Sequence, residues 1–100
     1  MQLQNLSLDP VTRQVRRAGR DLGLTAREYA LLLVMIKRPG HVFSREQLMR
    51  EVWNDESANS NVVEVYVRYL RQKLEVEGQS RLLLTVRGRG YRLGPMSEES

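Results

Sequence analysis

Between Asn61 and Leu74 the chain reads NVVEVYVRYLRQKL, and its apolar positions repeat at the helical period. Val63, Val67, Leu70 and Leu74 fall on one face, with Asn61, Val65, Arg68 and Gln72 on the opposite one. The first face predicts an anchored helix. The second is free to contact a partner, and Val62 and Val65 lie away from the anchor, where a solvated helix would usually carry Lys or Glu. Upstream, Leu6 and Leu8 alternate before the Asp9-Pro10 turn, Val11 and Val15 follow with polar neighbours, and Ala18-Gly19 and Gly23 punctuate the rest. This pattern predicts a small antiparallel sheet.

The period changes at Thr25. Thr25 and Glu28 form a T-x-x-E capping box, Leu24 and Tyr29 can staple across it, and Tyr29, Leu32, Leu33 and Ile36 share a face. Pro39-Gly40 ends this helix. Ser44 with Gln47 makes a second capping box, and Phe43 can staple onto Leu48, which predicts a short helix through about Trp53. Asn54 to Ser60 has no apolar period and reads as a connector. The third helix can be capped by Ser60, or by Asn61 with Glu64 at its third position. Gly78 closes it, and the β-prone runs Leu82 to Val86 and Tyr91 to Leu93 flank Arg87-Gly88-Arg89-Gly90 as a hairpin. The expected architecture is α+β: sheet, helix, helix, loop, helix, hairpin. Residues 1–95 are expected to form one domain and residues 96–100 a flexible tail.

Composition narrows the function classes. One hundred residues with 41% hydrophobic content suit a single folded domain. With no apolar run of about 18 residues and no basic-then-apolar leader, a cytoplasmic setting without membrane contact is expected. There is no cysteine, which removes disulfides and thiolate chemistry from the chain. His41, the only histidine, follows Pro39-Gly40 and reads as a loop residue, since zinc or triad chemistry needs partners. No HExxH, GxSxG, phosphate loop or paired catalytic carboxylates occur, so neither catalysis, metal nor cofactor is expected. Charge is more informative: residues 61–92 hold seven Arg/Lys against three Glu, whereas residues 1–60 hold nine against seven acids. Arg supplies nearly all of it, and its planar fork suits phosphates and guanine edges.

The blocks LTAREYALLLVMIKRPGHVFSREQLMREVW, NVVEVYVRYLRQKL and TVRGRGYRL, in this order and spacing, resemble the C-terminal winged-helix DNA-binding (effector) domain of OmpR/PhoB-type response regulators. The resemblance spans roughly residues 3–94. It implies sequence-specific binding of double-stranded DNA in bacterial transcription control, downstream of a receiver domain that a sensor histidine kinase phosphorylates. That receiver is expected upstream in the full-length protein. The resemblance further implies a direct-repeat operator, occupied by a second copy in head-to-tail arrangement.

Carried over position by position, the resemblance puts the third helix in the major groove, with Asn61, Val62, Val65, Tyr66, Arg68, Tyr69 and Gln72 toward bases or the adjoining backbone. At Tyr69 and Gln72 the family often has basic residues, and this chain does not. Arg68 also has an independent case as base reader, because it projects from the outer face and Glu64, four residues earlier, can pair with it. Arg71 and Lys73 flank that face and suit phosphates, as does Arg45 beside the helix N-terminus after Ser44. In the hairpin, Arg87 matches an arginine inserted into the minor groove, and Arg89 suits a phosphate. Thr85 and Tyr91 match hydroxyl donors to the backbone, and Tyr91 can equally be a core aromatic. Gly88 and Gly90 allow positive backbone angles and close approach to DNA, or simply make the turn. Trp53, Asn54, Asp55, Glu56, Ser57 and Ala58 match a segment through which some relatives contact RNA polymerase. The competing reading is a winged-helix module for protein-protein contact or RNA binding, distinguished by whether specific duplexes are preferred by roughly a thousandfold.

Overall fold

The computed structural model describes residues 1–54 and 61–95. Four short strands, β1 (Gln2–Leu3), β2 (Leu6–Asp9), β3 (Gln14–Arg17) and β4 (Arg20–Asp21), form an antiparallel sheet in sequential order. Helices α1 (Ala26–Ile36), α2 (Arg45–Trp53) and α3 (Val62–Leu74) follow, then a 3-10 turn at Val76–Gly78 and the hairpin β5 (Leu83–Val86) and β6 (Gly90–Leu93). The expected α+β winged helix-turn-helix is the observed fold.

Leu6 and Leu8 on β2 and Val15 and Arg17 on β3 point inward, with exposed neighbours between them. Leu8 pairs with Val15 and Leu6 with Arg17. Val11 does not join this sheet and is 89% exposed. Its backbone N–H donates to Asp9 Oδ1 at 2.9 Å, and this local Asx turn outcompetes the strand.

Both predicted capping boxes form. Glu28 N–H donates to Thr25 Oγ1 at 3.2 Å and Thr25 N–H to Glu28 Oε1 at 2.9 Å. Gln47 N–H donates to Ser44 Oγ at 3.1 Å and Ser44 N–H to Gln47 Oε1 at 2.9 Å. Each cap is worth about 1 kcal/mol. On α1, Tyr29, Leu32 and Ile36 are buried as expected, but Leu31 and Met35 are buried too, while Leu33 is only half-buried. The buried sector is wider because α1 is central, touching α2, α3 and β6. The four predicted anchors of α3, Val63, Val67, Leu70 and Leu74, are all buried. Asn61 is its N-cap residue without a side-chain cap bond, and Ser60 lies outside the described residues.

The hairpin is held to the helices through backbone pairing. Phe43, in the α1–α2 connection, donates to Tyr91 O at 2.8 Å and accepts from Tyr91 N–H at 2.9 Å. This explains Gly90: a Cβ there would lie 1.9 Å from the Phe43 carbonyl oxygen. The close approach that Gly90 permits is thus to the protein's own backbone. Gly88, at φ 75° with open space around it, serves the turn.

Candidate nucleic-acid interface

Helix α3 lies beside β5 of the hairpin, and the polar side chains of helix and hairpin divide into two groups. One group is occupied by the protein. Arg71, half-buried, donates from Nε to Leu83 O at 3.0 Å and from Nη2 to Thr85 Oγ1 at 2.9 Å. It joins α3 to β5, and burial followed by the nearby Arg81 charge lowers its pKa. Thr85 accepts that bond and keeps its hydroxyl proton to donate elsewhere. Lys73 faces α1, where its ammonium donates to Glu28 Oε1 at 2.6 Å and Gly23 O at 3.1 Å. Glu28 is 3% exposed. Burial pushes its carboxyl up, but Lys73 and the Thr25 backbone outweigh this and hold it below the ordinary glutamate value.

Glu64 does not pair with Arg68 as expected. Its carboxylate accepts from Arg45 Nε at 2.7 and 3.2 Å, joining the start of α2 to α3. Helical side chains lean toward the N-terminus, so Glu64 in the first turn tilts away from Arg68 and toward Arg45. Arg45 therefore enters the candidate interface already engaged. Tyr91 is half-buried, and burial, followed by the Glu64 charge, raises its phenol pKa. Arg45, Glu46, Thr85, Val86, Arg89 and Tyr91 line a shallow groove between α2 and the hairpin.

The second group faces outward. Arg68, Gln72, Arg87 and Arg89 are exposed, and none of their side chains makes a hydrogen bond or ion pair among the described residues. Asn61 is exposed at the head of the helix, Val65 is half-buried, and Val62 packs partly against the core. On the flank away from the hairpin, Tyr66 meets Trp53 edge-on at 5.4 Å and Tyr69 at 5.7 Å. Trp53 ends α2, and Asn54 follows as a left-handed C-cap at φ 54°. Asp55, Glu56, Ser57 and Ala58 lie outside the described residues.

Two functional supports escaped the sequence reading. Arg17 is 1% exposed. Its guanidinium donates to Asn5 Oδ1 at 3.0 Å, Leu74 O at 2.6 Å and Ser80 Oγ at 3.1 Å, which places a cation at the C-terminal end of α3. Burial lowers its pKa. The available signal was parity with Val15, which turns Arg17 inward on β3. Arg27 is the second: it donates from Nη1 to Val52 O at 2.5 Å and sits 5.5 Å from the Trp53 ring centre. Among the described residues no cluster of His, Cys or acidic groups suits a metal ion, and no helix is long and apolar enough to cross a membrane.

Residues 19–93 match the family model described as transcriptional regulatory protein, C terminal. Response regulator MprA of Mycobacterium ulcerans (strain Agy99) is 50% identical over 92 residues, covering 91% of this chain and 40% of the relative. The chain thus spans about two fifths of the length of the curated relatives it matches. Among solved structures, the DNA-binding domain of response regulator AdeR in complex with an intercistronic region superposes with a TM-score of 0.86 at 37% identity, covering 95% of this chain and 99% of that one. The RstA DNA-binding domain of Klebsiella pneumoniae, in complex with the RstA box, gives a TM-score of 0.84 at 26% identity, covering 95% and 96%.

Proposed function

Because this chain belongs to the transcriptional regulatory protein C-terminal family, as an effector domain of the OmpR/PhoB type, we propose that it binds double-stranded DNA sequence-specifically and controls transcription. The carrying observation is the set of exposed arginines, Arg68 on α3 with Arg87 and Arg89 on the hairpin that packs against α3, whose side chains make no hydrogen bond or ion pair among the described residues. Cations held unpaired beside a protruding helix suit a polyanion. The DNA-binding domains of AdeR, in complex with an intercistronic region, and of RstA, in complex with the RstA box, support the same reading.

In this mechanism α3 enters the major groove. Arg68 reads a base edge, with Asn61, Val65, Tyr69 and Gln72 along the same face. Arg87 enters the adjacent minor groove, where a narrow A·T-rich tract concentrates negative potential. Arg89 neutralises phosphate, and the Thr85 hydroxyl donates to the backbone. Arg45 reaches phosphate from its place beside Glu64. Arg71 and Lys73 act first as braces, which refines their expected part as phosphate contacts. The full-length protein is a cytoplasmic response regulator in this reading. A sensor histidine kinase phosphorylates its receiver domain, pairing promotes head-to-tail occupancy of a direct-repeat operator, and the α2–α3 segment meets RNA polymerase.

Selection from a randomised duplex library at near-physiological salt tests the reading. Enrichment of a short motif, repeated in one direction about one helical turn apart, is expected. A folded domain that enriches nothing overturns duplex reading in favour of protein or RNA contact.

A further inference from the structure

The outer face of α3 is chemically divided. Asn61, Arg68 and Gln72 form a polar strip on the hairpin side, while Val62, Val65 and Tyr69 follow one another at helical spacing on the far side. Tyr69 is 45% exposed. It is also the outermost ring of a connected series. Arg27, anchored on Val52 O at 2.5 Å, lies 5.5 Å from the Trp53 ring centre. Trp53 meets Tyr66 at 5.4 Å with planes at 64°, and Tyr66 meets Tyr69 at 5.7 Å with planes at 76°. Edge-to-face geometry of this kind is favourable and orients each ring by the one beneath it. Because a helical side chain covers the turn N-terminal to its own Cα, the Tyr69 ring is set over the Val65–Tyr66 turn.

We infer that Tyr69 is a specificity-determining residue whose ring packs against the C5-methyl group of a thymine, with Trp53 as a positioning residue acting through Tyr66. The inference rests on the proposed reading of duplex DNA. Major-groove thymine is the base that offers an apolar target, and a methyl group against an aromatic or aliphatic surface distinguishes it from cytosine. A ring already held by neighbours loses little freedom on contact. Being uncharged, it releases no counterion, so this contribution persists as salt rises, unlike that of an arginine at the same place.

Replacing each thymine of the selected site by deoxyuridine, one at a time, removes only the methyl group. The 100-residue chain should lose about 4-fold in affinity at one such position, the value of burying one methyl-sized group. Tyr69→Ala should abolish that penalty and leave those at other thymines intact, including any that Val65→Ala removes. Tyr69→Phe should keep it, and Trp53→Leu should shrink it while the penalties at other thymines stay intact. Circular dichroism checks that each variant is folded. The inference is overturned if the selected site has no thymine under α3, if Tyr69→Ala keeps every penalty, or if Tyr69→Phe weakens binding as much as Tyr69→Ala, which would mark a hydroxyl contact. Failure to select any duplex would instead remove the underlying reading, so the two failures are distinct.

Discussion

The flanks and the outer face of α3 meet similar residue types put to opposite uses. On the flanks Arg71 and Lys73 donate to acceptors on β5 and α1, and at the C-terminal end Arg17 of β3 donates to the helix terminus itself. On the outer face and the neighbouring hairpin turn, Arg68, Arg87 and Arg89 are exposed to solvent. The difference shows that a high arginine content is not one signal. A cation whose donors are used up by backbone carbonyls fixes geometry, whereas one left in solvent retains its full capacity for a ligand. An interface assembled only from the second class would be poorly aimed without the first.

Substitutions on the two sides should therefore separate stability from recognition. Arg17→Met should have the largest effect, because it strips the buried Leu74 carbonyl of its donor and breaks the part-buried bonds to Asn5 and Ser80; a loss of about 3 kcal/mol in urea unfolding is expected. A loss below about 1 kcal/mol would mean that water replaces the guanidinium.

Lys73→Met should cost about 2 kcal/mol by leaving the Glu28 carboxylate buried without its cation, and Lys73→Met with Glu28→Gln should recover much of it. Glu28 also sets a pH dependence. Its folded pKa is depressed, so its contribution is present above the ordinary glutamate value of about 4.3 and is lost as pH falls through the lower folded value. Unfolding followed from pH 6 down to pH 3, values chosen to bracket about 4.3, should show a shallower slope for Glu28→Gln than for the parent chain.

Arg71→Met should cost less in stability, about 1 kcal/mol, because part of the side chain already meets solvent. Its sharper consequence is to unhook β5 from α3, so discrimination for A·T-rich flanks should fall more than affinity for the central motif. Equal losses in a binding titration would make Arg71 an ordinary phosphate contact. Arg89→Ala should be smallest, weakening all duplexes alike and reducing the magnitude of the salt slope by about 1.

Much of this division was legible in the residues, but unevenly. The four anchors of α3 and both capping boxes follow from spacing alone, because helical periodicity and reciprocal cap bonds are local. Local turn chemistry also decided Val11, although there the Asx turn at Asp9 won over the alternation that suggested a strand. What escaped was non-local. Glu64 chose Arg45, which is 19 residues away in sequence, over Arg68 at helical spacing. Lys73 found Glu28 across 45 residues, and Arg17 found Leu74 across 57. No pattern within a window reports which helix end a distant arginine will meet. Gly90 had a visible role in the turn, but its contact with the Phe43 backbone depends on how the hairpin docks.

The central claim is that the exposed arginine of α3 reads sequence while the tethered cations build its platform. Its most direct test is the affinity of the parent chain and of Arg68→Ala for the selected duplex and every single-base variant of it, at one fixed salt concentration. The account predicts that Arg68→Ala flattens discrimination at one base pair by about 1–3 kcal/mol, with the other positions and the unfolding free energy unchanged. An equal loss on every duplex would contradict it and make Arg68 a phosphate contact.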